Sequence, residues 1–239
     1  MRSKLLVVLD ADNTLWDTNS VFEDCQRELL EMLNDIYRHS RTEITFDRLR
    51  EIDQSIAESH PRGLRYPFSI LIRRLREIMI GKAGPDDPLD AELANRFYQE
   101  LAAKTPPLLE GVNEGLALLK SAANLVILSE GGQSRIPILL EKYAISDYVR
   151  ATEYVTSKTS EEFYRIRRQY RHRGVIKEWS IGDQLAKDIG PAAEANFSTV
   201  FVPGGFDSKW NQTYNGAEPT YVARDFLDAA EYIIKDLKD

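Results

Sequence analysis

The sequence has little cysteine and histidine, and it lacks a long uninterrupted apolar segment. Its one cysteine, Cys25, excludes an internal disulfide framework and fits a reducing cytoplasm. The first apolar run begins near Lys4 and meets Asp10 only six residues later, which is too short for the core of a signal peptide or for a membrane span. We therefore expect a cytoplasmic protein that has no membrane partner.

The sequence also lacks an excess of positive charge, since 31 Lys and Arg residues stand against 38 Asp and Glu residues and the formal net charge is -7 at pH 7. This balance disfavours nonspecific binding to nucleic acid. The exception is a run of arginines at 165–173, but Glu161 and Glu162 precede it, and cations near the C-terminus of a helix suit the helix dipole. We therefore favour a structural role for this helix and expect no nucleic-acid partner, with dephosphorylation of polynucleotide ends as the alternative. The sequence makes no prediction about the oligomeric state.

The hydrophobic pattern divides the chain into two kinds of region. From Val21 to about Ala103 the apolar residues recur with helical spacing and predict four helices. Beyond Pro106, short apolar runs alternate with amphipathic helices, which is typical of βα units and a parallel sheet. The strands of this part are expected near 125–128, 148–152, 178–181, 199–202 and 220–222.

The apolar run Leu5 to Leu9 predicts a further strand of the same sheet. The chain is therefore expected to be an α/β protein with a doubly wound core. We assign residues 1–17 and 106–239 to this core, and residues 18–105 to an inserted all-helical domain.

Polar side chains follow the predicted strands. Asp10 and Asp12 come directly after the first strand, and two buried acids about 5 Å apart repel by roughly 3 kcal/mol, so we expect a cation between them. The carboxyl ends of parallel strands lie at one edge of the sheet, where open α/β sheets bind ligands. The other residues expected there are Ser129, Lys158, Asp183 and Asp188. Asp188 could also cap the helix that follows it.

In this order and spacing, the residues resemble the four motifs of the haloacid dehalogenase (HAD) superfamily. The stretch from Asp10 to Thr14 is similar to the first motif, Ser129 to the second, Lys158 to the third, and 182–188 to the fourth. The resemblance covers essentially the whole chain and implies a Rossmann-like core with a helical C1-type cap inserted after the first motif. Two positions depart from the family pattern. Glu130 stands where Asn or Asp is more usual, and Thr159 where Pro is frequent.

The resemblance implies a role for each motif residue. Asp10 would be the nucleophile that forms an aspartyl-phosphate, and Asp12 would be the general acid and base. Ser129 and Lys158 would contact the phosphoryl oxygens. The metal set would be Asp10, Asp12 through its backbone carbonyl, Asp183 and Asp188, holding Mg²⁺, with Asp188 orienting a water or Lys158.

Asp12 indicates the type of reaction. A halide leaves without a proton, whereas the leaving oxygen of a phosphate ester needs one, so a second acid favours a phosphatase. We predict a Mg²⁺-dependent phosphatase of small phosphorylated metabolites, with the cap selecting substrates by size. The alternatives are a phosphomutase or a haloacid dehalogenase of the same superfamily, or a non-catalytic binding protein on this fold.

Four further residues are candidates for substrate contact. Glu130 and Gly131 directly follow Ser129. Arg62 and Arg65 lie in a break between predicted cap helices, where a loop could bind an acidic leaving group. The competing interpretation of the two arginines is a solvated helix end.

Overall fold

The computed structural model describes residues 4–39, 42–61, 63–81, 87–171, 174–204 and 214–238. The chain divides into two compact units, one of Met1–Asn19 and Pro106–Asp239 and the other of Ser20–Thr105. The first unit contains a β-sheet with helices, whereas the described part of the second unit is helical. The predicted fold class, an α/β core with an inserted all-helical part, is confirmed. Among the described residues, we find no helix whose length and apolar character would let it span a membrane.

Helix caps and the packing of apolar faces stabilise the helices of the second unit. At the start of the second of its helices, Thr45 accepts a hydrogen bond from the backbone N–H of Arg48, and Asp87 caps the fourth in the same way. The rings of Phe68 and Phe97 stack with their centroids 3.8 Å apart inside the unit. The helices assigned to this inserted part are α1 (Thr18–Ile36), α2 (Phe46–Ser59), α3 (Ser69–Ile80) and α4 (Pro88–Ala103).

The sheet of the α/β unit is parallel and six-stranded, in the order β3-β2-β1-β4-β5-β6. The chain runs from β1 outward through β2 to β3, and then crosses to β4 on the other side of β1. The order therefore reverses between β1 and β4, which is where open α/β sheets bind ligands at the carboxyl ends of their strands. The strands are β1 (Leu5–Leu9), β2 (Ala123–Ser129), β3 (Val149–Tyr154), β4 (Lys177–Gly182), β5 (Ser198–Phe201) and β6 (Tyr221–Val222).

The central strand β1 is buried on both faces, which explains its continuous apolar sequence. Leu5, Val7 and Leu9 pack in one core, and Leu6 and Val8 pack in the other. The first core is covered by α5 (Val112–Lys120), α6 (Ile136–Lys142) and a C-terminal helix, and the second by α7 (Ser160–Tyr170) and α8 (Gly190–Glu194). The C-terminal helix is α9 (Phe226–Asp236).

The chain after β4 differs from the prediction. A π-helical turn, Leu185–Ile189, precedes α8, and Asp188 lies inside this turn. The prediction that Asp188 caps the next helix is therefore wrong, because Ile189 occupies the N-cap position of α8. Pro191 lies in the first turn of that helix, where the missing N–H of proline leaves no intrahelical hydrogen bond unmade.

Candidate active site

Asp10 lies immediately after the central strand, at the switch point of the sheet. Its backbone N–H donates to the carbonyl of Ile181 at 2.9 Å, which continues the pairing of β1 with β4. Its side chain is buried, and Oδ2 accepts a hydrogen bond from Thr14 Oγ1 at 3.1 Å. The carboxylate is thus fixed at the end of the strand with one oxygen directed to Thr14.

The other oxygen of Asp10 contacts the ammonium of Lys158. This Nζ donates to Oδ1 of Asp10 and also to Oδ1 of Asp188, the latter at 2.6 Å. All three side chains are buried. A cation does therefore contact Asp10, as the sequence predicted, but its second carboxylate partner is Asp188 and not Asp12.

The π-helical turn presents Asp188 to this cluster. Oδ2 of Asp188 accepts the backbone N–H of Gln184 at 3.0 Å, and the backbone carbonyl of Asp188 accepts Ser180 Oγ at 3.0 Å. A Cβ atom on Gly182 would lie 2.3 Å from Cγ of Asp188, so a side chain at position 182 is incompatible with this arrangement. The glycine of the fourth motif thus makes room for the carboxylate.

Asp10, Asp183 and Asp188 can each offer an oxygen atom, all within 4.8 Å of one another. With one ammonium among three carboxylates, the cluster carries a formal charge of -2 when all four groups are ionised. Burial raises the pKa of Asp10 to about 7, with a contribution from the charge of Asp188, although the ammonium of Lys158 opposes this change. Burial and the charge of Asp10 raise the pKa of Asp183 well above its usual range. Three buried carboxylates with this charge fit a divalent cation with hard oxygen ligands, such as Mg²⁺.

Asp12 occupies a different position from these three acids. Its Oδ1 accepts hydrogen bonds from Trp16 Nε1 at 2.9 Å and from Thr18 Oγ1 at 2.6 Å. The side chain is partly exposed, and Trp16 is fully buried. Among the described residues, the hydrogen bonds to this carboxylate are made to Oδ1. The backbone carbonyl of Asp12 as a metal ligand stays a prediction.

Ser129 ends β2 and is buried. Its Oγ donates to the carbonyl of Gly131 at 2.9 Å and accepts the N–H of the same residue at 3.2 Å. Within the described parts of the chain, the hydroxyl has no hydrogen bond to the Asp10 cluster. It shapes the turn after the strand, and its predicted contact with a phosphoryl oxygen stays a prediction, as does the role of Gly131.

Glu130 turns toward the loop that carries Lys158. Its Oε1 accepts the backbone N–H of Lys158 at 2.7 Å and lies 3.3 Å from Nζ of Lys187. Lys187 precedes Asp188 in the π-helical turn. No pattern in the sequence indicated this link between the second, third and fourth motifs.

The structure describes one of the two arginines that were predicted to contact substrate. Arg65 is exposed at the end of a 3₁₀ turn, Gly63–Arg65, between α2 and α3, whereas Arg62 lies outside the described residues. A contact of either arginine with substrate stays a prediction.

Three arginines in and directly after α7 form ion pairs with nearby acids. Arg165 pairs with Glu153 and Glu162, and Arg167 and Arg171 pair with Glu178. Arg173 of the predicted basic run lies outside the described residues. These ion pairs agree with the structural interpretation of the helix, and the absence of a nucleic-acid partner stays a prediction.

Several residues that support the site were not predicted. Thr14 falls within the first motif, so its position four residues after Asp10 was an available signal. The others depend on turn geometry, for which no pattern in a single sequence gives a signal. They are Trp16, Thr18, Ser180, Gln184 and Lys187.

Known proteins resemble this chain in sequence over part of its length. Residues 157–229, which include Lys158, Asp183 and Asp188, match the sequence model of a family described as HAD-hydrolase-like. A search of curated proteins gave no match to the chain.

Solved structures resemble the chain over nearly its whole length. The HAD-hydrolase YfnB from Bacillus subtilis, solved bound to magnesium, is 17% identical, with a TM-score of 0.67 and coverage of 98% of this chain and 100% of that one. A protein described as a predicted phosphoglycolate phosphatase from Haemophilus somnus is 16% identical, with a TM-score of 0.65 and coverage of 98% and 99%. The 2-haloacid dehalogenase from Pseudomonas syringae is 18% identical, with a TM-score of 0.57 and coverage of 98% and 99%.

These findings agree with the four motifs and with the order of the strands. The identities to the solved structures are low, so those likenesses establish the fold, while the sequence match covers the third and fourth motifs. The chain therefore has the fold of these haloacid dehalogenase-like structures, with an α/β core and an inserted helical part, and its residues 157–229 are similar in sequence to the HAD-hydrolase-like family.

Proposed function

We propose that the protein is a Mg²⁺-dependent phosphatase of small phosphorylated metabolites, which acts through an aspartyl-phosphate on Asp10. One observation carries the proposal: the buried carboxylate of Asp10 shares the ammonium of Lys158 with Asp188, and Asp10, Asp183 and Asp188 each offer an oxygen atom within 4.8 Å of the other two. A carboxylate approaches an anionic phosphate only where positive charge is concentrated. In this site the carboxylate contacts one cation, the ammonium of Lys158, and lies beside acidic ligands that could bind a second cation, a metal ion.

The residues that would hold Mg²⁺ are Asp10, Asp183 and Asp188, together with the backbone carbonyl of Asp12. When bound, the ion supplies the positive charge that a phosphoryl group needs beside an anionic nucleophile. A magnesium complex of the structurally similar YfnB supports the choice of ion.

Asp10 and Lys158 have complementary tasks in the proposed reaction. An oxygen of Asp10 attacks phosphorus, and the bond from phosphorus to the ester oxygen breaks. The ammonium of Lys158 favours the ionised form of Asp10 and would contact a phosphoryl oxygen, with the hydroxyl of Ser129 as a second donor. Losing one such donor typically slows a reaction by about 10² to 10³.

Asp12 would supply the proton for the leaving oxygen. It then takes a proton from the water that attacks the aspartyl-phosphate, which releases phosphate and restores both acids. Trp16 and Thr18 both donate to Oδ1, so Oδ2 is the oxygen available for the transferred proton. The two donors also fix the orientation of the carboxylate.

The same argument favours a phosphatase over a dehalogenase, although structural neighbours include both kinds of protein. A halide needs no proton when it leaves, so dehalogenation has no use for the acid that Asp12 provides. A phosphomutase would use the same four acids, and it differs only in returning the phosphoryl group to a second position of the substrate.

A panel of small phosphate esters tests the proposal. Wild-type protein should release inorganic phosphate with Mg²⁺ and lose this activity with a chelator. Asp10→Asn should abolish turnover and Asp12→Ala should nearly do so, while Asp147→Asn, which changes an exposed acid of the same unit, is the matched control. Full activity in Asp10→Asn would overturn the assignment.

The products distinguish the alternatives. Free phosphate indicates a phosphatase, an isomerised ester indicates a phosphomutase, and free halide from a haloacid indicates a dehalogenase. Absence of all three products, with Mg²⁺ still bound, would favour a non-catalytic binding protein.

A further inference from the structure

We infer that Glu130 is a positioning residue, which fixes the backbone of Lys158 and thereby the place of its ammonium. The inference rests on the proposed function for its kinetic consequences, because Lys158 matters there as a cation beside phosphate. Glu130 lies next to Ser129 and was a candidate for substrate contact on the sequence alone. Its observed contacts point to a different task.

The carboxylate of Glu130 is directed at the lysine loop. Oε1 accepts the backbone N–H of Lys158 at 2.7 Å, a short bond of the charge-assisted kind, and the side chain of Glu130 is only 13% exposed. The neighbouring residue Thr159 is the N-cap of α7 but makes no side-chain capping bond. Thr159 also does not restrict the backbone of the preceding residue as a proline would. The bond from Glu130 therefore supplies a restraint that the loop's own sequence does not.

Lys187 extends this contact to a third segment of the chain. Its Nζ lies 3.3 Å from Oε1 of Glu130 and donates to Oγ of Ser157 at 3.3 Å. The next residue, Asp188, binds the ammonium of Lys158. The end of β2, the loop before α7 and the turn after β4 are thus joined by contacts of Glu130 and Lys187.

Small displacements matter in a site of this kind. A shift of about 1 Å in a positioned group can cost roughly 10² in rate. The long side chain of Lys158 is held at its tip by Asp10 and Asp188 and at its backbone by Glu130. Removing the backbone contact releases one end of the lysine without altering any group that touches substrate.

Three substitutions of Glu130 distinguish the effect of its hydrogen bond to the Lys158 backbone from the effect of its negative charge. Glu130→Ala removes the acceptor and should lower kcat by about 10- to 100-fold, with a smaller change in KM. Glu130→Gln keeps an Oε1 acceptor, since both contacts use that one oxygen, and should recover most of the loss. Glu130→Asp is one methylene shorter and should resemble Glu130→Ala. Glu141→Ala, on the exposed face of α6, is the matched control.

A double substitution shows whether Glu130 acts through Lys158. In a Lys158→Met background, Glu130→Ala should lower the residual kcat by less than about twofold, because coupled residues do not add. Full additivity would overturn the inference. So would losses that differ strongly between esters with different leaving groups, since these would indicate a substrate contact by Glu130.

Hydrogen exchange tests the contact independently of activity. The peptide that contains the Lys158 amide should exchange faster in Glu130→Ala than in wild-type protein, and Glu130→Gln should restore protection. Unchanged exchange in Glu130→Ala would overturn the inference even if the protein is an active phosphatase. Faster exchange in Glu130→Ala, together with a wild-type protein that hydrolyses no ester, would support the contact and would refute the proposed function.

Discussion

The ammonium of Lys158 lies 2.6 Å from Oδ1 of Asp188 and also contacts Asp10, so one cation serves a carboxylate at the end of β1 and another from the turn that follows the neighbouring strand β4. Burial alone would lower the pKa of Lys158, but the charges of Asp10 and Asp188 outweigh it and raise this pKa. Lys158 therefore remains protonated throughout the neutral range, where it supplies a permanent positive charge beside Asp10.

The first prediction concerns this charge. Lys158→Met removes the ammonium and keeps an unbranched side chain, and it should lower kcat for the best ester by about 10² to 10³. Lys142→Met, on the exposed end of α6, is the control for a lost surface charge. A kcat within threefold of wild type would show that Lys158 does not assist phosphoryl transfer.

The second prediction concerns pH and metal. The pKa of Asp10 is raised to about 7 by burial, and an acid that binds its proton more tightly when folded stabilises the protein as the pH falls through the folded pKa. Without divalent ions, Tm should therefore rise between about pH 8 and about pH 6. Added Mg²⁺ should raise Tm more at the higher pH, because protons compete for the same carboxylates.

Thermal melts of three samples check this prediction. Asp10→Asn should reduce the pH slope without removing it, since the pKa of Asp183 is raised as well. Asp147→Asn should keep the wild-type slope. A Tm that responds neither to pH in this range nor to Mg²⁺ would contradict a cation site at the acid cluster.

The third prediction concerns Gly182. A Cβ atom there would come within 2.3 Å of Cγ of Asp188, so Gly182→Ala must displace the carboxylate and the lysine that it holds. The Mg²⁺ concentration needed for half-maximal activity should rise by about 10- to 100-fold. A circular dichroism spectrum identical to that of wild type would show that the fold is retained, and an unchanged Mg²⁺ requirement would contradict the packing argument.

The sequence predicted those features that strand patterning controls. The run Leu5 to Leu9 is buried on both faces, so its apolar composition identified a central strand and placed Asp10 at its end. Asp183 follows from the same reasoning, because it comes directly after a later strand of a parallel sheet, whereas Lys158 was identified from its resemblance to the third motif.

Contacts that depend on turn geometry could not be predicted from strand patterning. The π-helical turn directs Asp188 toward Lys158 rather than making it a helix cap, and the bond from Glu130 to the Lys158 amide joins loops that are far apart in sequence. Ile36 has the spacing of the buried face of α1 yet is 47% exposed, because it is the last residue of the helix.

The sequence also did not predict the buried ion pair of the helical unit, on which the last prediction rests. Arg76 of α3 donates to both carboxylate oxygens of Asp90 of α4, at 3.0 and 2.9 Å, and each residue is 5% exposed. Removing one partner leaves the other charge buried and uncompensated. Arg76→Met should therefore lower the free energy of unfolding by about 3–5 kcal/mol in urea denaturation followed by circular dichroism.

The neighbouring ion pair between Arg74 and Glu77 provides the matched control for this change. The side chain of Arg74 is 60% exposed, so water screens the pair and Arg74→Met should cost less than about 1 kcal/mol. Combining Arg76→Met with Asp90→Leu should recover much of the lost stability, because no unpaired charge then remains buried. Equal losses in Arg76→Met and Arg74→Met would contradict this, since they would mean that burial does not determine what each arginine contributes.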